Sequence, residues 1–303
     1  MAPFLCEDDS AQCPTPAGGK KPQGDEKHHA TGPPTPPEGE ALSEVWSRAA
    51  RGKYDAIQLI ETSPEGAPDF SPRWLSPIAM LNHWTHGGFY GVTACAGSAG
   101  AGKSAIAMMT GLRAAIDRPY ETVIYLAGEM TENQIKNRLA WMGEAWGYSP
   151  SQIHTLQTSR RLQMLLVHQN QKIRSFHDSI AEALESWPQA LVIIDSVNAV
   201  LTMCGDRGDY WTKFERLLEP ILVTRRITEG RLGALILSEL NKDGTAKGRW
   251  EYKPDLVLHV HATKAPRVVK MTVAKNREKG YDGKLGEFRM TADAQFERVS
   301  EVE

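Results

Sequence analysis

The sequence predicts an α/β fold in which a mostly parallel, twisted sheet is flanked by helices and ends in a β-hairpin edge. From Gly87 onward, short apolar runs alternate with segments of helical periodicity, the pattern expected of a parallel sheet. Three more strand-like segments lie close together near the C-terminus without helices between them, which is typical of hairpins. A glycine-rich loop between the first predicted strand of the alternating part, Tyr90–Ala96, and the helix that follows it also favours this class.

Composition restricts the possible functions. The 303 residues are 41% hydrophobic and 24% charged, which is an ordinary globular composition with enough apolar material for a sizeable core. The formal net charge of −2 excludes a uniformly basic coat, so any nucleic-acid contact must come from a local patch. Four scattered cysteines suggest no disulfide framework, so we expect a cytoplasmic protein. The acidic start lacks the basic region of a signal peptide, and no apolar run approaches the roughly 18 residues of a membrane span.

The chain divides into three predicted parts. Residues 1–40 hold eight of the 18 prolines and little that could pack, so they are predicted to be a disordered, proline-rich tail. Residues 41–88 are a lead-in with short helices over Ala41–Arg51 and Ser76–Trp84. Residues 89–303 form the main domain, of a size that suits one hydrophobic core.

Within the main domain, strands are predicted wherever apolar or β-branched runs are bounded by turn residues. In order they are Tyr90–Ala96, Thr122–Ala127, Ala190–Asp195, Ala234–Ser238, Asp255–His261, Val268–Ala274 and Gly286–Met290. Helices are predicted where apolar residues recur every three or four positions, as they do at Ile135, Leu139 and Met142 behind a Thr131 cap. The helices are Ala105–Leu112, Thr131–Trp146, Lys172–Trp187 and Tyr210–Thr228.

The glycine-rich loop matches the phosphate-binding pattern G-x-x-x-x-G-K-[ST]. Its residues are Gly97, Ser98, Ala99, Gly100, Ala101, Gly102, Lys103 and Ser104. The glycines let the backbone curl around phosphates so that its N–H groups and the helix N-terminus face them. We expect Lys103 to reach the β- and γ-phosphates of ATP and the Ser104 hydroxyl to hold Mg²⁺. The alternative is a chance glycine-rich turn.

Two carboxylates are expected at the same edge of the sheet. Asp195 ends an apolar strand, at the carboxyl end where open α/β sheets bind ligands, and is predicted to be the second Mg²⁺ anchor. Glu129 follows the strand Thr122–Ala127 and is predicted to orient and polarise the attacking water. An acid at a helix start that interacts favourably with the helix dipole is the alternative for Glu129.

These motifs, in this order, resemble the RecA-type ATPase core, as found in DnaB-type replicative helicases and RadA/Sms recombination proteins. The pattern G-E-M-T-x-x-Q-I-x-x-R-L, from Gly128 to Leu139, is similar in both. The stretch Asn241–Gly248 resembles a loop of RadA, and Lys275-Asn276-Arg277 resembles the K-N-R of RadA and the K-Q-R of the helicases. The resemblance implies a RecA-like P-loop NTPase that forms a homo-oligomeric ring with ATP at the subunit interfaces. It also implies that Lys275 and Arg277 reach a neighbour's γ-phosphate, although an exposed basic strand end is the alternative.

The segment after the fourth predicted strand is basic. From Asn241 to Gly280 there are ten Lys or Arg residues against four acids. Basic side chains next to the aromatic residues Trp250 and Tyr252 suit phosphate contacts and base stacking, so single-stranded DNA is expected at Lys242, Lys247 and Arg249. A solvated surface loop is the alternative.

The predicted function is therefore a Mg²⁺-dependent ATPase acting on DNA, of the helicase or recombination type, with catalytic residues Lys103, Glu129, Lys275 and Arg277. A regulatory or signalling ATPase of the same fold, without a nucleic-acid substrate, is the first alternative. It is favoured by Glu239, an acid at a position where the helicases carry glutamine. A scaffold that binds ATP but barely hydrolyses it is the second.

Overall fold

The computed structural model describes residues 72–118, 121–168, 172–205, 208–240, 253–277 and 283–299, all within one compact unit that spans Pro68–Glu303. The predicted tail 1–40, the predicted helix Ala41–Arg51 and the predicted DNA-contacting residues Lys242, Lys247 and Arg249 lie outside the described residues.

Helices and strands alternate as the sequence predicts. The strands are β1 Arg73–Trp74, β2 Phe89–Tyr90, β3 Val92–Gly97, β4 Val123–Ala127, β5 Leu162–Leu166, β6 Leu191–Asp195, β7 Gly233–Glu239, β8 Leu256–Ala262, β9 Val268–Asn276, β10 Gly283–Met290 and β11 Phe296–Arg298. The helices are α1 Ala79–Trp84, α2 Lys103–Asp117, α3 Glu132–Ala145, α4 Pro150–Thr158, α5 Ile173–Ser186, α6 Val197–Met203 and α7 Tyr210–Ile227. None of the helices in this part of the chain is long and apolar enough to cross a membrane.

In the described residues, the main sheet has nine strands in the order β11-β10-β9-β8-β3-β7-β6-β4-β5. The six strands from β8 to β5 are parallel, and β9, β10 and β11 continue the sheet as antiparallel hairpins. The predicted α/β fold with a hairpin edge is therefore confirmed. β3 lies in the middle of the sheet, and its last residue, Gly97, pairs with Glu239 of β7 and Val260 of β8.

Both faces of the parallel strands are buried because helices cover them. Successive side chains of a strand point to opposite faces and so enter one core or the other. On one face, Tyr125 and Ile193 pack in a core shared with α2, α3 and α4. On the other, Ile124 and Ile194 pack in a core shared with α5, α6 and α7. Residues 72–88, which the sequence places in a lead-in, contribute Trp74, Ile78 and Leu81 to the first core, and the compact unit itself begins before residue 89.

Five elements were not predicted, namely β1, β5, β11, α4 and α6. β1 and β11 are only two and three residues long, and the reasons for the other three are local. β5 has the sequence Leu-Gln-Met-Leu-Leu, without the β-branched residues that signal a strand. α4 is a nine-residue helix with only Ile153 and Leu156 buried, too short to show a clear period. α6 begins directly after Asp195 from a Ser196 cap and continues to Met203, and its seven residues are too few to show a clear period.

Candidate nucleotide-binding site

The glycine-rich loop connects the central strand β3 to α2, as predicted. Gly102 is the N-cap of α2 and has a φ of 80°, in the left-handed region that glycine adopts without strain. A Cβ atom on Gly97 would lie 2.2 Å from the carbonyl oxygen of Val260, so only glycine lets β8 approach this closely. The Lys103 ammonium donates hydrogen bonds to the carbonyl oxygens of Gly97 (3.0 Å) and Ser98 (2.9 Å). The lysine is thereby held over the loop, at the N-terminus of the helix where an anion is favoured.

Ser104 and Asp195, the two predicted Mg²⁺ ligands, are in direct contact. The Ser104 hydroxyl donates to Oδ1 of Asp195 at 2.9 Å, and the Tyr125 hydroxyl donates to Oδ2 at 2.5 Å. Burial raises the pKa of Asp195 above its usual value, and the hydrogen bonds from Tyr125 and Ser104 counteract this only in part. Burial, and then the charge of Asp195, also raises the pKa of the Tyr125 hydroxyl well above its usual value, so the phenol stays a donor.

This pair fits a magnesium ion. Mg²⁺ prefers hard oxygen ligands and is usually held by one or two protein groups together with phosphate oxygens and water. A hydroxyl and a carboxylate beside a phosphate-binding loop supply that donor set. No cluster of three or more His, Cys, Asp or Glu side chains that could hold a different metal occurs in the described ranges.

Glu129 lies next to this pair. Its backbone neighbour Gly128 donates to the carbonyl oxygen of Asp195 at 2.6 Å, which draws the end of β4 onto the end of β6. The Ser196 hydroxyl donates to Oε1 of Glu129 and so fixes one oxygen of the carboxylate. Helix α3 does not depend on Glu129 for its start, because Thr131 and Gln134 form a complete capping box there. Glu129 is therefore held beside Asp195, at the carboxyl ends of β4 and β6.

A cavity of about 510 Å³ opens over the loop. Its polar end is formed by the loop itself with Lys103, Ser104 and Glu129. The cavity is also lined by Arg138, Trp141 and Met142 from α3 and by Met290 from β10, and the charge of Arg138 acts on Asp195. A cavity that combines cationic groups and loop N–H groups with an aromatic and two thioether side chains has the chemistry to hold both the phosphates and the base of a nucleotide.

The sequence reasoning missed several of these cavity-lining residues. Arg138, Trp141 and Met142 lie within little more than one turn of α3, so a helical-face pattern could have grouped them, but the sequence did not indicate which face meets the loop. Tyr125 could have been identified as a candidate from the sequence, because it is the one residue of the apolar strand β4 with a polar side-chain group. Met290 comes from a strand 187 positions after Lys103, and only the sheet order brings it near.

Glu239 also lines the cavity, at the end of β7. Its backbone N–H donates to Oδ1 of Asn198 at 3.2 Å, and the Ser238 hydroxyl donates to the same oxygen at 3.0 Å. Asn198 in α6 thus ties the end of β7 to the helix that follows Asp195.

Lys275 and Arg277 lie at the opposite edge of the sheet. Lys275 lies at the end of β9 and Arg277 directly follows it, where Asn276 pairs with Leu256 at the start of β8. The loop lies at the other end of the neighbouring strand β3, which spans about 17 Å from Val92 to Gly97 at roughly 3.3 Å per residue. Neither residue lines the cavity of its own chain.

Comparison with known proteins agrees with this architecture. A model of the AAA domain family matches residues 66–231. Among solved structures, the chain is similar to the RadB recombinase, with a TM-score of 0.56, 19% identity, and coverage of 73% of this chain and 96% of that one. It is also similar to a KaiC-like protein from the hyperthermophilic archaeon Pyrococcus horikoshii OT3, with a TM-score of 0.56, 15% identity, and coverage of 75% and 99%. No curated protein sequence matches. The predicted RecA-type P-loop core is confirmed by this fold.

Proposed function

This chain belongs to the AAA domain family, and from that premise we propose that it is a Mg²⁺-dependent ATPase that acts on DNA from a homo-oligomeric ring. The observation that carries the proposal is that Ser104, which contacts Asp195 at 2.9 Å, lines one cavity together with Lys103 and Glu129. A hydroxyl, an ammonium and a carboxylate that line one cavity, with a second carboxylate bonded to the hydroxyl, are the groups that triphosphate hydrolysis requires.

Each of these residues has a separate role. Lys103 leaves the carbonyl oxygens of its own loop and binds the β- and γ-phosphates, with the loop N–H groups around them. Ser104 and Asp195 would hold Mg²⁺, and the ion would supply positive charge that neutralises the charge developing on the phosphate oxygens. Glu129, oriented by Ser196, accepts a hydrogen bond from the attacking water and directs its lone pair at the γ-phosphorus. The purine packs at the far end of the cavity, against Trp141 and Met290.

Lys275 and Arg277 complete the site of a neighbouring subunit. Their position at the sheet edge opposite the loop supports this role, because the loop of their own chain is about 17 Å away along β3. A guanidinium supplied by a neighbour stabilises the charge of the transition state, an effect worth roughly 10³–10⁵ in rate in other trans-arginine systems. Such a head-to-tail contact, repeated around an axis, closes a ring.

DNA binding is assigned to Lys242, Lys247 and Arg249. These residues belong to the connection between β7 and β8, and that connection starts one residue after Glu239 in the nucleotide cavity. Its local excess of basic residues, the aromatic residues Trp250 and Tyr252, and the similarity to a protein named as a recombinase support single-stranded DNA as the ligand.

The test is ATP turnover by the full chain with Mg²⁺, measured with and without single-stranded DNA at fixed salt. We expect measurable basal turnover that rises several-fold with DNA, and loss of that rise when Lys242, Lys247 and Arg249 are replaced together by alanine. Basal turnover without any response to DNA would support the regulatory or signalling ATPase instead. Tight ATP binding without turnover would support the scaffold.

A regulatory or signalling ATPase remains the second candidate because of Glu239. A carboxylate in the cavity accepts hydrogen bonds and repels phosphate, whereas the glutamine that the helicases have there can donate one. The similarity in fold to a KaiC-like protein is compatible with either function.

A further inference from the structure

Asp255 forms the centre of a polar cluster at the sheet edge opposite the nucleotide cavity. Its Oδ2 atom accepts hydrogen bonds from the backbone N–H of Val92 (3.0 Å) and from Nη1 of Arg225 (2.7 Å). The Asp255 side chain is only 16% exposed. The first residue of β3 and the side chain of Arg225 in α7 therefore fix one carboxylate oxygen from two directions.

The backbone of Gly91 leaves room for this carboxylate. Gly91 has a φ of 54°, and a Cβ atom built on it would lie 2.3 Å from Oδ2 of Asp255 and 2.8 Å from Nη2 of Arg225. Any other residue would displace the ion pair. The turn before β3 is thus shaped around the carboxylate.

The second carboxylate oxygen faces Arg277. Nη1 of Arg277 lies 3.5 Å from Oδ1 of Asp255, and the Arg277 backbone N–H donates to the Asp255 carbonyl oxygen at 2.9 Å. The Arg277 side chain is nonetheless 50% exposed. A guanidinium is a planar group with N–H donors on more than one edge, so it can pair with a carboxylate on one side and an external anion on another.

We infer that Asp255 is a positioning residue for Arg277: it holds the guanidinium at the subunit surface in the orientation that meets the neighbour's γ-phosphate. The inference rests on the proposed function, in which Arg277 acts on the adjacent subunit. An arginine side chain has many rotamers, and selecting one of them in the transition state costs conformational entropy. If Asp255 selects the rotamer of Arg277 beforehand, the transition state does not bear this cost. The separation of 3.5 Å leaves the guanidinium exposed while the charge of Asp255 directs it.

The same cluster connects two active sites. β3 begins at Val92, which is bonded to Asp255, and ends at Gly97 in the phosphate-binding loop. One short strand therefore joins the arginine that serves the neighbour to the loop that binds the chain's own nucleotide.

The test compares Asp255→Asn with Glu215→Gln in the full-length protein. Glu215 pairs with Lys253 at 2.7 Å on the surface, so the control removes a charge from an ion pair that does not involve Arg277. We expect Asp255→Asn to lower kcat by about 10- to 100-fold, as for a misplaced catalytic group, with KM for ATP within about twofold. Glu215→Gln should keep kcat. An unchanged kcat for Asp255→Asn would overturn the inference.

Subunit mixing separates positioning from a general structural role. Asp255→Asn mixed with Glu129→Gln should regain turnover, because some interfaces then combine an intact Glu129 with an intact Asp255 and Arg277. Asp255→Asn mixed with Arg277→Ala should regain none, because every interface lacks one of the two. Regained turnover in this second mixture would overturn the inference. If Arg277→Ala with Glu129→Gln regains turnover but Asp255→Asn with Glu129→Gln does not, Asp255 has only a structural role and the proposed function stands.

If Arg277→Ala and Glu129→Gln also fail to restore each other although the subunits exchange, the trans role of Arg277 is wrong and the inference falls with it. Arg225→Lys is the second variant, for the case that Asp255→Asn does not fold. It keeps a positive charge next to Asp255 but loses the guanidinium geometry, and we expect a smaller loss of kcat with the same mixing pattern. If mixing Arg225→Lys with Glu129→Gln does not restore kcat, the result contradicts the role of Asp255 as a positioning residue for Arg277.

Discussion

Tyr125 donates a 2.5 Å hydrogen bond to Oδ2 of Asp195, the carboxylate oxygen that Ser104 does not contact. Each carboxylate oxygen of Asp195 therefore accepts one hydroxyl hydrogen bond, and the residue is only 1% exposed to solvent. A buried carboxylate without a cation is costly, because burial removes the water that would solvate its charge. The proposed role of Asp195 as a Mg²⁺ ligand would account for a carboxylate kept in a buried position.

Asp195→Asn should stabilise the protein while it abolishes activity. Because the pKa of Asp195 is raised by burial, its contribution to folding is greatest below its usual value near 3.8 and is lost as the pH rises through the higher folded value. At pH 7 to 8 the neutral amide avoids this cost, and each kcal/mol gained would raise Tm by about 2–4 °C. Thermal melts from pH 5 to 8 without nucleotide measure the effect. A lower Tm across this range would show that the hydrogen bonds of Tyr125 and Ser104 outweigh burial.

Lys103→Ala should reduce turnover by at least about 100-fold, because the phosphates lose their main cation. The substitution removes only the hydrogen bonds to Gly97 and Ser98, so the fold should be kept. Titration with a fluorescent ATP analogue, together with a phosphate-release assay, measures both steps. Lys136→Ala is the matched control, since Lys136 is exposed and pairs with Glu132. Turnover at the original rate in Lys103→Ala would remove the basis of the proposed function.

Glu129→Gln should bind ATP normally and lose turnover by about 10²–10⁴-fold. The amide fills the same space and can still accept the Ser196 hydrogen bond, but it cannot polarise water as a carboxylate does. Ser196→Ala should lower kcat less, because Glu129 keeps its charge and loses only its orientation. If Glu129→Gln keeps turnover within a few-fold, Glu129 is an acid at a helix start and another base activates the water.

Trp141→Ala should weaken ATP binding by about tenfold or more without weakening the binding of inorganic tripolyphosphate. Stacking of a base on an aromatic ring is worth about 1–3 kcal/mol, and Trp141 is an exposed indole that lines the same cavity as the phosphate-binding loop. Isothermal titration with the two ligands separates base contacts from phosphate contacts. Equal losses for both ligands would place Trp141 in the phosphate end instead.

Cys95 should resist alkylation in the native state. Its burial in β3 raises the thiol pKa to about 12, although Lys103 lowers it somewhat. At pH 8 only about one thiol in 10⁴ is then ionised, and the thiolate is the reactive form. A variant with Cys6, Cys13 and Cys204 replaced by serine isolates this thiol. We expect iodoacetamide labelling only after denaturation, and rapid native labelling would show that β3 opens.

The phosphate-binding loop and the two carboxylates Asp195 and Glu129 could be predicted because the sequence patterns that indicate them are local. The glycines and Lys103 act through the backbone of a few consecutive residues, and Asp195 and Glu129 follow strands that their own apolar sequences indicate. The capping box at Thr131 is equally local, and the predicted start of α3 is correct to within one residue.

The residues that complete the cavity could not be predicted, because they come together through strand order and helix orientation. Tyr125 meets Asp195 across 70 positions, and Met290 reaches the cavity only because the hairpins of β9 to β11 continue the sheet beyond β8. β5 could not be predicted because it has no β-branched residues. It is a strand because it pairs with β4 through backbone hydrogen bonds.

The sequence by itself determined the loop chemistry, the α/β class and the carboxylates at the strand ends, since these depend on near neighbours in the chain. Only the tertiary structure decided that Asp255 faces Arg277, at the sheet edge away from the loop. That contact depends on the register of β8 against β9 and on the approach of Arg225 from α7. The Asp255–Arg277 contact arises when residues far apart in the chain pack against one another, and no pattern of neighbouring residues predicts that packing.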